Sequence, residues 1–411
     1  MSAELLSPAG DFEKLRAAVR YGADAVYLAG ENFGMRAASA NFSEEELADA
    51  VSFAHSRGVK IYVTVNILPR TEEYEALEPY SLYLAKIGVD AVIVSDIGVF
   101  MTVRRLAPQM PIHISTQSST VSAQACNAWH SLGASRIVLA RELTLAEIRN
   151  IRANIPPELE LEAFVHGAMC IAYSGRCLLS NYFIGRDANH GRCAQPCRWI
   201  YNERVITEEK RPDDRITVEE HDGDSFVMSS RDTCMIEHIP ALMESGITSF
   251  KIEGRVKSAY YTAVVTNTYR MAIDAYLRDH AGYRYDPVWL RELESVSHRE
   301  YFTVFYFDSP HEQATTVTAP GYIREKAYLA AAVTDSDAEG RVTFLQRNKL
   351  IADTPMELLT PGKPGIPFVG TDLRDAEGNP IESAPHPMME FSMHVPVPVK
   401  AGDIIRAGGE V

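Results

Sequence analysis

Five times in the first 276 residues a helical pattern stops at a glycine and a short apolar run follows at once: Gly22–Leu28, Gly58–Val63, Gly88–Val94, Gly133–Leu139 and Gly246–Ile252. Glycine suits that slot because a helix C-terminus commonly closes on a left-handed residue. The runs are short, β-branched and apolar on both faces, as strands buried under helices require. The pattern predicts strands at Leu5–Pro8, Val26–Ala29, Ile61–Asn66, Val92–Ser95, Ile112–Thr116, Ile137–Ala140, Leu161–Val165 and Phe250–Glu253. Eight strands alternating with helices point to an α/β fold, a TIM-type (β/α)8 barrel, with a doubly wound sheet as the alternative. Phe226–Ser229 is a ninth strand candidate.

Polar residues gather where these strands end: Ser7, Asn66, Ser95 and Asp96, Ser115 to Gln117, Arg141 and Glu142, His166, then Lys251, Glu253 and Arg255. In a barrel such ends converge on one rim, where this fold places its chemistry. A single Ser or Asp there is more often a helix cap, but seven of the eight strand ends sharing the trait are harder to assign to capping alone. After residue 276 the pattern changes. The expected organisation is a barrel over 1–276 carrying a cysteine-bearing insertion at 166–225, an aromatic-rich linker at 277–326, and a small antiparallel β-barrel domain at 327–411.

The start of the chain has neither the basic residues nor the apolar run of a secretory signal, and the apolar stretches Ala91–Val94 and Ile97–Val103 are interrupted by Asp96 and Arg104. A soluble, cytoplasmic protein is expected. The net charge of −15 argues against a surface broadly coated by nucleic acid, since phosphate binding draws on surplus Lys and Arg. Any RNA contact must be local. One such place exists: residues 170–204 hold Arg176, Arg186, Arg192, Arg198 and Arg204 against only Asp187 and Glu203.

The same stretch carries most of the cysteines, in the spacing Cys170-x6-Cys177-x15-Cys193-x3-Cys197-x36-Cys234. Without a secretion signal, such clustering favours metal ligation over disulfides. Only the Cys193/Cys197 pair has the spacing of a zinc knuckle, whereas iron–sulfur clusters collect thiolates from widely separated turns. Cluster, zinc site and buried thiols all remain open on spacing alone, with five candidates for four positions. Cys126, outside the group, reads as a packed core thiol.

Glu162–Cys170 (EAFVHGAMC) followed by Ile171–Ser180 (IAYSGRCLLS) is similar to the signature of the U32 peptidase family. Leu5–Phe12 (LLSPAGDF), Cys193–Trp199 (CAQPCRW) and Lys251–Arg255 (KIEGR) resemble that family too, so the likeness spans nearly the whole chain. With its C-terminal β domain the chain resembles the prephenate-dependent tRNA uridine hydroxylases of the family. The resemblance implies an oxygen-independent, RNA-modifying hydroxylase that forms 5-hydroxyuridine at the wobble position of the tRNA anticodon stem-loop, with prephenate as hydroxyl donor. It implies a [4Fe–4S] cluster on Cys170, Cys177, Cys193 and Cys234, leaving Cys197 spare, although some relatives use that second cysteine of the pair. The alternatives are a peptidase or collagenase, as the family name has it, or a hydroxylase of another RNA or of a quinone precursor. The sequence has no Gly-x-Ser-x-Gly elbow and no His-Glu-x-x-His helix to support proteolysis.

Prephenate is a small dianion, and guanidinium forks suit carboxylates. The candidates to hold it are Arg36, Arg141 and Arg255, with Lys251 as a further cation. An unpaired base is commonly stacked on an aromatic plane, for which Tyr173, Trp199, Tyr182 and Phe183 are candidates. His166 is the candidate acid or base, with Glu253 and Asp96 behind it.

Overall fold

The computed structural model describes residues 3–35, 41–199, 205–208, 211–217, 220–221, 224–225, 229–307 and 322–408. The chain divides into two compact units that interleave in sequence: residues 1–15, 24–256 and 298–322 form the first, and 16–23, 257–297 and 323–411 the second.

In the first unit eight strands run parallel: β1 (Glu4–Pro8), β2 (Ala25–Leu28), β3 (Lys60–Val65), β4 (Ala91–Val94), β5 (Ile112–Ile114), β6 (Arg136–Val138), β7 (Glu160–Ala168) and β8 (Ser249–Ile252). Each pairs with its successor, for example Val26 with Ile61 and Ile137 with Leu161. Then β8 pairs with β7 at Phe250 and Ala163, and with β1 at Phe250 and Leu5. That last pairing closes the sheet on itself, so the fold is a (β/α)8 barrel and the doubly wound alternative is excluded. Between strands the chain returns through α1 (Phe12–Arg20), α2 (Glu44–His55), α3 (Tyr74–Lys86), α4 (Ile97–Leu106), α5 (Ala123–Leu132) and α6 (Leu145–Ala153). The helix stops follow the expected chemistry. Gly133 ends α5 at φ +107°, in the left-handed region, with its N–H turned back to the His130 and Trp129 carbonyls.

Two departures from the sequence reading have a visible cause. β5 stops at Ile114, not Thr116, because the Ser115 hydroxyl accepts from the Gln117 N–H at 3.3 Å and the chain turns there. β7 runs on to Ala168, because a short strand at Asp232–Cys234 pairs antiparallel with its end, Cys234 opposite His166 and Thr233 opposite Gly167. His166 therefore lies inside the strand, not after it. Of the ninth candidate strand, residues 226–228 fall outside the described residues, and the strand following the insertion is Asp232–Cys234.

The barrel interior is part apolar and part ionic. Leu6, Ala25, Tyr27, Tyr62, Ala91 and Ile93 form a buried cluster. Beside it Arg136, 3% exposed, reaches Glu4 Oε1 at 2.5 Å, Glu160 Oε2 at 2.7 Å and Glu162 Oε2 at 3.1 Å. Tyr62 and Ser249 donate to Glu4 at 2.7 and 2.9 Å, and Lys251 pairs with Glu162 at 2.6 Å. Buried charges persist in a dry interior only when paired and hydrogen-bonded, and every carboxylate of this chain of contacts meets a cation.

The second unit carries a seven-stranded antiparallel sheet in the order Ile366–Val369, Pro355–Leu359, Ile404–Gly408, Lys326–Ala332, Arg341–Gln346, Glu390–His394, Thr371–Asp375. Its two edge strands are consecutive in the chain, with Gly370 alone between them, so one bent segment serves both edges and the sheet wraps into a half-barrel. Phe344 and Phe391 stack at 5.6 Å in its core. The unit also holds helices Ala259–Arg278 and Val288–Glu294. Arg406, fully buried, bridges Glu292 and Glu357 at 2.7 and 2.8 Å. No helix among the described residues is long and apolar enough to cross a membrane.

Candidate active site

Strands that converge at one end of a barrel carry their last side chains into a shared mouth. Here they enclose a cavity lined by Tyr27 from β2, Thr64 from β3 and Asn66 after it, Ile93 from β4, Ser115 and Gln117 after β5, Val138 from β6 and Arg141 after it, Phe164 from β7, and Lys251 from β8 with Glu253 and Arg255 after it. Cys170, Ser174 and Gly175 of the cysteine-bearing insertion also line it. The insertion is seated on the rim by a close approach at Gly175. Its φ is +76°, and a Cβ there would come within 2.9 Å of Gln117 Cβ, so a side chain at this position would lift the Cys170–Cys177 turn away.

Three of the predicted cations meet in this mouth. Arg141 is anchored by its Nη1, which donates to the Ala168 carbonyl at 2.8 Å, and its guanidinium lies 3.8 Å above the centre of the Phe164 ring. Its Nε is buried with no hydrogen-bond partner, a donor directed into the protein with nothing to receive it. Arg255, 4% exposed, donates to Thr64 Oγ1 at 3.1 Å. Lys251, also 4% exposed, has its Nζ 4.4 Å from the centre of the Tyr27 ring as well as against Glu162. Burial pushes the Lys251 amine below the usual lysine range; Glu162 pulls the other way, and Arg136 and Arg141 add to the downward push. Arg36 lies outside the described residues.

The candidate acids and bases separate. Glu253 is buried and lines the cavity. His166 is buried within β7, its ring 5.2 Å from that of Tyr301, and does not line the cavity. Asp96 serves as the cap of α4: one carboxylate oxygen accepts from the Gly98 and Val99 N–H groups at 2.8 and 3.0 Å and from Tyr74 OH at 2.6 Å. It too is outside the cavity lining.

None of the six cysteines is in a disulfide. Cys126 is fully buried in α5, where burial raises its thiol to about 11, as a packed core thiol should be. Cys197 lies within electrostatic reach of three others. Burial raises its thiol, Arg198 opposes, and the charges of Cys170, Cys193 and Cys177 raise it further. Cys234, the fourth ligand implied by the family resemblance, is buried at the end of its short strand opposite His166. Among the described residues no three His, Cys, Asp or Glu side chains are placed to hold a single metal ion. In the chemistry of their donors, cysteine thiolates suit an iron–sulfur cluster.

The outer face of the insertion is aromatic and basic. Tyr173, Tyr182, Phe183 and Trp199 are exposed, with Phe183 5.6 Å from Tyr182 and 6.2 Å from Trp199. Arg176, Arg186 and Arg192 are exposed beside them in the chain, Arg198 donates to Tyr322 OH at 2.9 Å, and Arg204 lies outside the described residues.

Sequence reading missed Glu162 and Arg136. The available signal was a charge at an inward position of an otherwise apolar strand, in Glu160–Val165 and Arg136–Val138. Thr64, which also lines the cavity, carried the same kind of signal on β3.

Residues 10–316 match the family model described as Peptidase family U32, and residues 326–406 match that of the Peptidase family U32 C-terminal domain. The chain belongs to peptidase family U32. Among relatives of this U32 member, tRNA hydroxylation protein P1 of Bacillus subtilis is 37% identical, over 98% of this chain and 94% of that protein. The tRNA hydroxylation protein P of Escherichia coli is 34% identical over 96% and 94%. The 23S rRNA 5-hydroxycytidine C2501 synthase of E. coli is 35% identical over 82% of this chain and 51% of its own length.

Proposed function

We propose that this U32 member hydroxylates tRNA, converting the wobble uridine of the anticodon stem-loop to 5-hydroxyuridine without molecular oxygen, with prephenate as the hydroxyl donor. The observation that carries the reading is the joining, in one cavity, of Arg141, Arg255 and Lys251 with the first cysteine of the insertion, in a chain similar along nearly its whole length to tRNA hydroxylation proteins.

Each part of the site has a task in that reaction. Arg141 and Arg255 hold the two carboxylates of the donor, since planar guanidinium forks recognise carboxylates in a fixed orientation. Thr64, Ser115 and Gln117 offer neutral hydrogen bonds around its ring. Tyr173 and Trp199 provide planes on which a splayed base stacks, and Arg176, Arg186 and Arg192 meet phosphates. This restricts RNA contact to one face, which reconciles tRNA binding with a net charge of −15. Glu253 is placed in the cavity to accept a proton from C5 of the uracil as the hydroxyl is installed. Cys170, Cys177 and Cys193, with Cys197 or Cys234, would hold a [4Fe–4S] cluster, which when bound supplies electron transfer or polarises an oxygen.

Nucleosides of tRNA from a strain lacking the gene, and having no paralogue, test the reading. The expected result is loss of 5-hydroxyuridine and its derivatives, with restoration by a plasmid copy. Unchanged levels would defeat it. Casein hydrolysis by the purified chain, lost in Cys170→Ser, would favour the peptidase that the family name describes.

A further inference from the structure

We infer that Lys251 is a covalent catalytic residue: its Nζ forms an imine with the keto carbon of a 2-oxo acid whose carboxylate is held by Arg141. The inference rests on the reading of this cavity as a carboxylate co-substrate site and names the atom that captures the ligand.

Four features of the mouth converge on it. First, Lys251 lines the cavity yet is 4% exposed, so its amine meets a ligand in a dry setting where hydrolysis of an imine is slowed. Second, a proton acceptor is already in contact: Nζ lies 2.6 Å from Glu162 Oε1. The other oxygen of that carboxylate is fixed by Arg136 at 3.1 Å, and Glu162 is itself fully buried, so the acceptor does not wander. Third, the amine is held below the usual lysine range: burial pushes hardest against its positive charge, Glu162 pulls the other way, and two neighbouring guanidiniums add to the push. Fourth, Lys251 and Arg141 face the same ring: Nζ is 5.3 Å, and the Arg141 guanidinium 3.8 Å, from the centre of Phe164. Arg141 and Lys251 both line the cavity, so a carboxylate paired with that guanidinium brings the adjacent keto carbon into the space that Lys251 shares.

The step balances without an oxidant or reductant. The ammonium first passes a proton to Glu162. The Nζ lone pair then adds to the keto carbon as the carbonyl π pair moves to oxygen, giving a carbinolamine. With protons returned from Glu162 and from nitrogen, the oxygen leaves as water and the C=N bond forms. The net change is amine plus ketone to imine plus water. A protonated imine draws electrons from the carbons beside it, so the tethered ligand is both positioned and activated.

Borohydride trapping tests this on the full chain. Protein is incubated with pyruvate, and in parallel with prephenate, reduced with sodium borohydride, digested and mapped by mass spectrometry, while an aliquot is assayed for tRNA hydroxylation. The expected result is a secondary-amine adduct on Lys251 that needs both the 2-oxo acid and the folded chain and is absent in Lys251→Arg. No adduct at Lys251, or adducts spread equally over surface lysines, would overturn the inference. The wild-type experiment stands even if Lys251→Arg does not fold. Hydroxylation without an adduct sinks the imine and leaves the proposed function standing; an adduct without hydroxylation does the reverse.

Discussion

Replacing Arg136 by methionine is expected to destabilise the chain by about 3–5 kcal/mol, because removing one partner of a buried ion pair leaves the opposing charges uncompensated. Arg136 is 3% exposed and satisfies Glu4, Glu160 and Glu162; without it Glu4 loses its nearest cation and Glu162 keeps Lys251 alone for two buried oxygens. Adding Glu4→Gln to the variant should recover part of the loss, since the two residues are in contact and their effects are not additive. Urea unfolding of the full chain, read at its first transition, measures both. A loss under about 1 kcal/mol, the range of surface pairs, would mean that water reaches the network.

The same network fixes an acid limit. Burial alone would raise the Glu4 carboxyl, but the Arg136 charge and the hydrogen bonds from Arg136, Tyr62 and Ser249 prevail and hold it below its ordinary value of 4.5. A carboxyl depressed on folding contributes stability that is present above pH 4.5 and is lost as pH falls through the lower folded value. In Arg136→Met only burial and the weaker bonds from Tyr62 and Ser249 act on Glu4, so the stability gap between wild type and variant should narrow below that pH.

Arg141→Lys is expected to raise KM for prephenate roughly 10- to 100-fold with a smaller change in kcat, as loss of a hydrogen bond to a charged group is worth about 1.5–3 kcal/mol. Lysine keeps the charge but not the fork. In the wild type one arm of the guanidinium is tied to the Ala168 carbonyl and its face rests on Phe164, which fixes the plane of the group at the cavity wall. A single ammonium cannot meet both an anchor and a carboxylate in that geometry. Steady-state hydroxylation at fixed tRNA separates the parameters. An altered KM for tRNA with an unchanged KM for prephenate would place Arg141 on the RNA path instead.

The barrel was readable in advance because its strands are apolar on both faces and five of the eight follow a glycine stop, two signals written in short stretches of sequence. What escaped depends on partners far away in the chain. β7 is lengthened by Asp232–Cys234, some seventy residues on, and that pairing draws His166 into a strand and away from the cavity. Asp96 looked like other polar strand ends, and only the positions of Tyr74 and the α4 N–H groups reveal a cap. Spacing left five cysteines for four positions and only the family resemblance made Cys197 the spare one; in the folded insertion it lies within the influence of three of its neighbours. Glu162 and Arg136 were visible as charges in apolar strands, but that they face inward and support Lys251 follows only from closure of the barrel.

The central claim is that the thiolates of the insertion and the cations of the barrel mouth act on one RNA base. Its most direct measurement is anaerobic incubation of purified, iron- and sulfide-loaded chain with unmodified tRNA and prephenate, followed by nucleoside mass spectrometry. The account predicts about four iron and four sulfide per chain and formation of 5-hydroxyuridine in the absence of oxygen. Fully loaded protein that leaves the tRNA unchanged, with prephenate present and untouched, would contradict it.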